Sequence, residues 1–235
     1  MLESRRYNAT MSLAGRAIPV FPLPDCVVLP GSIQALHIFE PRYREMVADE
    51  QARPPADRYV AMALLKPGYE PYYYSHKAPV YPVTCLCRII RHELLPDGRS
   101  NLLIEGLARA TIQEECHRAN YRQAILQEIE TIGNLTPLEE AALRAELARC
   151  LQGLPQALAR VLCEIVADER DLGRVIDRIA FLLLEPAATS AKHMLLSETR
   201  LDFRVKILTT LIDRGHIMQT SSPVAGDPLT HYEYN

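Results

Sequence analysis

The sequence predicts an α+β fold with its two kinds of element segregated along the chain. Up to about Thr131, short β-prone runs rich in Val, Ile, Tyr and Pro alternate with turn residues. From Thr136 onward, apolar residues recur with a period close to 3.6, the spacing of a helix face. The chain has 235 residues, 48% of them hydrophobic and 23% charged, enough apolar material for a sizeable core and unlike disordered, collagenous or coiled-coil chains.

In the first half, strands are expected at 18–21, 26–29, 33–39, 59–65, 83–94, 101–109 and 121–127. Asp97-Gly98 sits between two β-prone runs and supplies the residue types of a tight hairpin turn. One helix is expected at 41–48, where Pro41 fixes φ in the first turn. In the second half, Thr136-Pro-Leu-Glu139 reads as a capping box, and Leu143, Leu147, Leu151 and Leu154 succeed it on one face. Gly153-Leu-Pro155 breaks that helix, and Leu158, Val161, Leu162 and Ile165 begin another. Asp171 caps a third with Leu172, Val175, Ile176, Ile179, Ala180 and Leu183 facing inward, stopped at Glu185-Pro186. A short fourth helix carries Met194 and Leu195, and a fifth presents Leu201, Val205, Leu208, Leu211 and Ile212 up to Gly215. The chain divides into an extension at 1–15, a β-rich part at 16–130, a helical part at 131–218 and a mobile polar tail at 219–235.

A formal net charge of −3 argues against a general binder of nucleic acid or anionic membrane. No apolar run approaches the ~18 residues of a membrane span, and the N-terminus lacks a signal-peptide core. Six cysteines are too few for a disulfide scaffold, so the expectation is a soluble cytoplasmic protein with reduced thiols. Cys85 and Cys87 lie two apart on a strand and share a face, but no second cysteine pair completes a zinc site, and they read as core residues. Phosphate-binding glycine loops, H-E-x-x-H and G-x-S-x-G are absent, and no spacing nominates a base for a nucleophilic Cys or Ser: Cys116 and His117 are neighbours, but adjacent strand residues point to opposite faces. No catalytic residue, metal or cofactor is expected.

Two segments invite a functional reading. Tyr69 to Tyr81 places five tyrosines in a proline-punctuated loop, and tyrosine joins large contact area to a polar tip at low entropic cost. The bland alternative is that these rings cap the sheet. In Ile38-Phe-Glu-Pro-Arg-Tyr-Arg44, Glu40 is placed to stabilise the helix N-terminus while Arg42 and Arg44 reach carboxylates or carbonyls.

Taken in order, Ile18-Pro-Val-Phe-Pro-Leu-Pro-Asp-Cys-Val-Val-Leu-Pro-Gly31, Leu36-His-Ile-Phe-Glu-Pro-Arg-Tyr-Arg44, Leu95-Pro-Asp-Gly-Arg99 and Ile104-Glu-Gly-Leu-Ala-Arg109 resemble the Lon protease N-terminal domain family. The closer likeness is to bacterial stand-alone members that carry only this domain. The resemblance covers about Arg16 to Arg214 and implies a PUA-like β-rich pseudo-barrel followed by a helical bundle. It also implies recognition of unfolded or tagged protein, without the ATPase and Ser-Lys protease segments that come after this domain in full Lon proteases. This chain departs from stand-alone relatives at Thr84 and Cys87, where those relatives commonly have glycine.

The expected function is therefore a non-catalytic module that binds unfolded or extended polypeptide, or a partner protein. Phe39, Tyr43, Tyr69, Tyr72, Tyr73 and Tyr74 are the candidate contacts, with the peptide lying along a sheet edge. One alternative is an adaptor whose helical half docks a separate protease or ATPase. Another is RNA binding by analogy of fold, which would require Arg88, Arg91, Arg99, Arg109, Arg118 and Arg122 to gather on one face; the charge balance disfavours it.

Overall fold

The strands expected in the first half curl into a barrel. In the computed structural model, which describes residues 15–75, 77–116, 118–132, 135–186, 188–215 and 217, they are β1 (Ala17–Leu23), β2 (Ile33–Ile38), β3 (Tyr59–Leu64), β4 (Val83–Leu94), β5 (Ser100–Cys116) and β6 (Gln123–Glu128). Helix α1 (Pro41–Gln51) comes after β2. The sheet order is β2-β5-β4-β3-β1-β6, and a further pairing of β6 with β5 closes the last five into a ring. Among the described strands, only β1 and β3 pair in parallel. Closure depends on the 17-residue length of β5: its residues 100–105 hold β2, and 110–116 hold β6.

A five-stranded barrel has a narrow interior. Small residues fill it: Ala61, Ala63 and Ala124 pack with Ile18, Val20, Tyr59 and Leu86. The alternate residues of the same strands, among them Phe21, Val60, Met62, Leu64, Cys85 and Cys87, point outward into a second and larger core. All six residues of β3 are buried for this reason, so its sequence shows no polar alternation.

The larger core is shared with the helices α2 (Pro137–Leu151), α3 (Gln156–Asp168), α4 (Leu172–Leu183), α5 (Thr189–Ser197) and α6 (Leu201–Asp213). The Thr136 hydroxyl accepts from the Glu139 N–H while the Glu139 carboxylate accepts from the Thr136 N–H, so the capping box forms as its sequence predicts. Asp171 accepts from the Arg174 N–H at the start of α4. The expected inward stripe of α4, Leu172 to Leu183, is buried throughout. The extension before Gly15 and the tail at 219–235 lie outside the described residues.

Residues 26–29 form no strand, contrary to the pattern of their side chains. Val27, Val28 and Leu29 are buried, but the segment crosses β5 instead of pairing alongside it. Gly31 N–H donates to the Gly106 carbonyl at 2.8 Å, and Gly106 N–H returns to the Ser32 carbonyl at 2.9 Å. A Cβ on Gly106 would run into the Leu29 carbonyl oxygen, so glycine is what permits the crossing. The β4–β5 hairpin turns through five residues, not two, with the Leu95 N–H bonded to the Arg99 carbonyl at 2.8 Å and Gly98 at φ 80°.

One buried ion cluster ties barrel to helices. Arg109 on β5 makes paired bonds of 2.9 and 2.7 Å to the Asp177 carboxylate on α4, and its Nε donates to the Leu196 carbonyl. Arg204 on α6 also bonds Asp177 and donates to the Gly173 carbonyl at 2.9 Å. All three side chains are buried.

Candidate functional site

Where the outer edge of the sheet faces the helices, the chain leaves an open cleft of about 560 Å³. One wall is β2, residues 34–38, continued by Phe39. The other is built from the end of α4 and the residues just past it, Phe181, Leu182, Leu184 and Pro186. Between them lie Phe21, Leu23 and the 24–27 crossing segment, with Lys192 of α5 reaching in. β2 pairs with β5 on one side and, among the described residues, with no strand on the other. Its outer edge therefore offers backbone N–H and C=O groups without a strand partner beside an apolar surface, the Ala35 carbonyl being covered by the Gln34 side-chain amide at 2.8 Å.

The tyrosine loop is clipped to the start of α1 through Glu40. Glu40 occupies the N-cap position but makes no capping hydrogen bond there. Its carboxylate instead accepts from Arg42 Nε at 3.0 Å and from the Tyr73 hydroxyl at 2.6 Å. Arg42 Nη1 donates to the Tyr73 carbonyl at 3.2 Å, and the guanidinium lies 4.4 Å from the Tyr43 ring centroid, 4.7 Å from that of Tyr73 and 5.7 Å from that of Tyr74. Cation–π attraction thus adds to the ion pair. Glu40 thus lies at the helix start, where its charge was expected, but its carboxylate takes a hydrogen bond from a tyrosine 33 residues away and none from the first-turn backbone. Arg44 packs its guanidinium against Gly98 of the hairpin.

Four of the six candidate contacts meet at the cleft. Phe39 is 57% exposed and Tyr74 76% exposed at its rim, Tyr73 is half-buried, and Tyr43 is buried in its wall. Burial pushes the Tyr43 phenol up to about 12 and raises that of Tyr73 as well, so Tyr73 keeps the proton it donates to Glu40. Tyr69 and Tyr72 pack on each other with ring centroids 6.2 Å apart, outside the cleft lining. Tyr81 stacks on His193 of α5 at 4.3 Å.

Sequence reading missed the helical wall and Lys192. Lys192 is 7% exposed, and burial lowers its pKa. The available signal was its register: Leu195 and Leu196 lie three and four residues on, and both are buried on the same face. Cys85 and Cys87 are fully buried in the shared core, and Thr84 donates to the Met62 carbonyl at 2.5 Å. Four of the six arginines weighed for RNA are engaged by carboxylates of the chain itself. Arg109 is buried on Asp177, Arg122 on Glu115 and the Ala78 carbonyl, while Arg88 and Arg99 pair with Glu105 and Asp97. A second depression, about 460 Å³ between α2 and α3, holds Arg144, whose guanidinium is bonded to Glu140 and the carbonyls of Val166, Glu169 and Arg170. Among the described residues no helix is long and apolar enough to cross a membrane.

The profile of the family described as the ATP-dependent protease La (LON) substrate-binding domain matches residues 17–214. The chain is 26% identical over 201 residues to a Lon protease of Xanthomonas oryzae pv. oryzae, covering 83% of this chain and 23% of that protein. It is 27% identical over 213 residues to a Lon protease of Bacillus thuringiensis, covering 87% and 25%. It therefore spans about a quarter of the length of these curated relatives. Among solved structures, the N-terminal domain of Mycobacterium avium complex Lon protease superposes with a TM-score of 0.64 at 18% identity, covering 84% of this chain and 98% of that one. A Lon N-terminal domain protein from Xanthomonas campestris gives 0.57 at 23% identity, covering 83% and 98%. At these identities the structural likeness is one of fold.

Proposed function

Because the chain belongs to the ATP-dependent protease La (LON) substrate-binding domain family, we propose that its cleft binds extended, apolar stretches of unfolded polypeptide without chemical turnover. The observation that carries this is the conjunction of an unpaired strand edge with an aromatic rim. An incoming segment adds to β2 by backbone hydrogen bonds, which are indifferent to sequence. Its alternate side chains then fall on Phe39 and Tyr74 or on the Phe181–Leu184 wall. Such a surface reads extension and apolarity, the two properties that distinguish an unfolded chain from a folded one. The cleft's polar groups suit holding over reacting: Glu40 is engaged by Arg42 and Tyr73, and burial pushes the Cys26 thiol up to about 12, far from a reactive thiolate.

Binding of a permanently unfolded, reduced model protein, monitored by fluorescence anisotropy, tests the proposal. Phe39→Ala/Tyr74→Ala is expected to weaken binding at least ten-fold, about 1.4 kcal/mol, whereas Tyr69→Ala/Tyr72→Ala leaves it unchanged. Equal affinity of wild type and the first double variant would remove the cleft from the function.

A further inference from the structure

We propose that Lys192 receives the terminal carboxylate of an apolar polypeptide end lodged in the cleft; this deepens the proposed polypeptide binding and rests on it. Lys192 is the most buried charged side chain of the lining, 7% exposed, yet among the described residues its ammonium has neither a hydrogen-bond partner nor an ion pair. That ammonium has only the Phe181 ring, with the nitrogen 5.8 Å from the centroid. Cys26, the titratable group acting on it, is a neutral thiol. Of the two carboxylates in the lining, Glu40 is committed to Arg42 and Tyr73, and Asp25 is exposed and makes no ion pair with Lys192. Burial of its stem strips part of the ammonium's hydration while the nitrogen still faces the water of the cleft; a partly desolvated cation without an anion favours a negative group at this point.

The surroundings decide which anion would meet that demand. The walls are apolar, Phe21, Leu36, Phe181, Leu182 and Leu184 among them, which disfavours a heavily hydrated polyanion. The unpaired edge of β2 favours extended peptide. A strand running along that edge turns its side chains to the walls, so an internal carboxylate would have to enter apolar surface to reach the lysine. A chain end carries its carboxylate on the backbone and needs no charged side chain. The site thus combines a non-specific ladder with a reader of the C-terminal group.

The test uses a short Val- and Leu-rich peptide, fluorescently labelled at its N-terminus, with either a free or an amidated C-terminus. Wild type is expected to bind the free acid about ten- to hundred-fold more tightly than the amide, the range of one charge-assisted hydrogen bond. Lys192→Met is expected to bind both forms with the amide's affinity and to melt at or above the wild-type temperature, since it removes an unpaired, partly desolvated charge. Lys192→Arg is expected to keep the preference. Equal affinity of acid and amide for wild type, or a preference surviving in Lys192→Met, overturns the anchor and leaves the cleft reading standing. No binding of either form overturns both. An amidated peptide with one internal Glu that binds as tightly as the free acid overturns the assignment to a chain end.

Discussion

His193 shows how one side chain registers the joint between barrel and helices. Its ring stacks on Tyr81, its Nε2 faces the Val83 carbonyl at 3.3 Å and its Nδ1 faces the Ser197 hydroxyl at 3.3 Å. A carbonyl can only accept, so the geometry assigns the proton of the neutral ring to Nε2 and leaves Nδ1 to accept from Ser197. Burial lowers its pKa below 6.5, so the folded protein binds fewer protons at this site than the unfolded chain does. Its contribution to stability is complete above pH 6.5 and falls as pH drops through that value. His92 is shifted in the same direction, again chiefly by burial. Urea midpoints measured from roughly pH 8 to 5 are expected to decline, and His193→Gln to flatten part of that decline. An unchanged acid limb in the variant would place the protons elsewhere.

Elements with strictly local causes were legible in the sequence. The α2 cap needs only Thr136 and Glu139, and the α4 stripe needs only its own spacing, so both formed where the pattern put them. Segment 26–29 was not legible, because Val27, Val28 and Leu29 look alike whether a strand pairs beside them or crosses beneath them. The deciding residue, Gly106, lies more than seventy positions away. The candidate site divides the same way. Phe39, Tyr43, Tyr73 and Tyr74 stood out by type, whereas the α4 wall and the placing of Tyr69 and Tyr72 outside the cleft lining depend on how barrel and helices meet. The bond from Tyr73 to Glu40 was not legible because Tyr73 comes from a loop with no periodic signal. The crossing carries its own prediction. Gly106→Ala sets a Cβ against a backbone carbonyl that cannot rotate away, and is expected to cost about 1–3 kcal/mol with an unchanged denaturant slope. A cost within experimental error would show that the 29–32 crossing gives way freely.

Across the molecule, barrel and helices act as one body to the extent that the Arg109–Asp177–Arg204 cluster holds them. The cluster draws from β5, α4 and α6, and one carboxylate serves two guanidiniums, all buried. Arg109 also bonds the Leu196 carbonyl at the end of α5, so it is tied to two helices at once. Removing the shared anion is far worse than removing the whole cluster, because it strands two cations in a medium that solvates them poorly. Asp177→Asn is expected to cost about 3–5 kcal/mol, whereas Arg109→Met/Asp177→Leu/Arg204→Met together are expected to be neutral or stabilising. The helices dominate far-ultraviolet circular dichroism. The chain has no tryptophan, and its tyrosines fall mostly in the β-rich half, so tyrosine emission reports the barrel. In wild type the two signals are expected to change together on urea titration; in Asp177→Asn the helical signal is expected to change first. Coincident transitions in that variant would mean that the shared apolar core alone couples the halves, and the cleft between them would then owe its shape to packing and not to the buried charges.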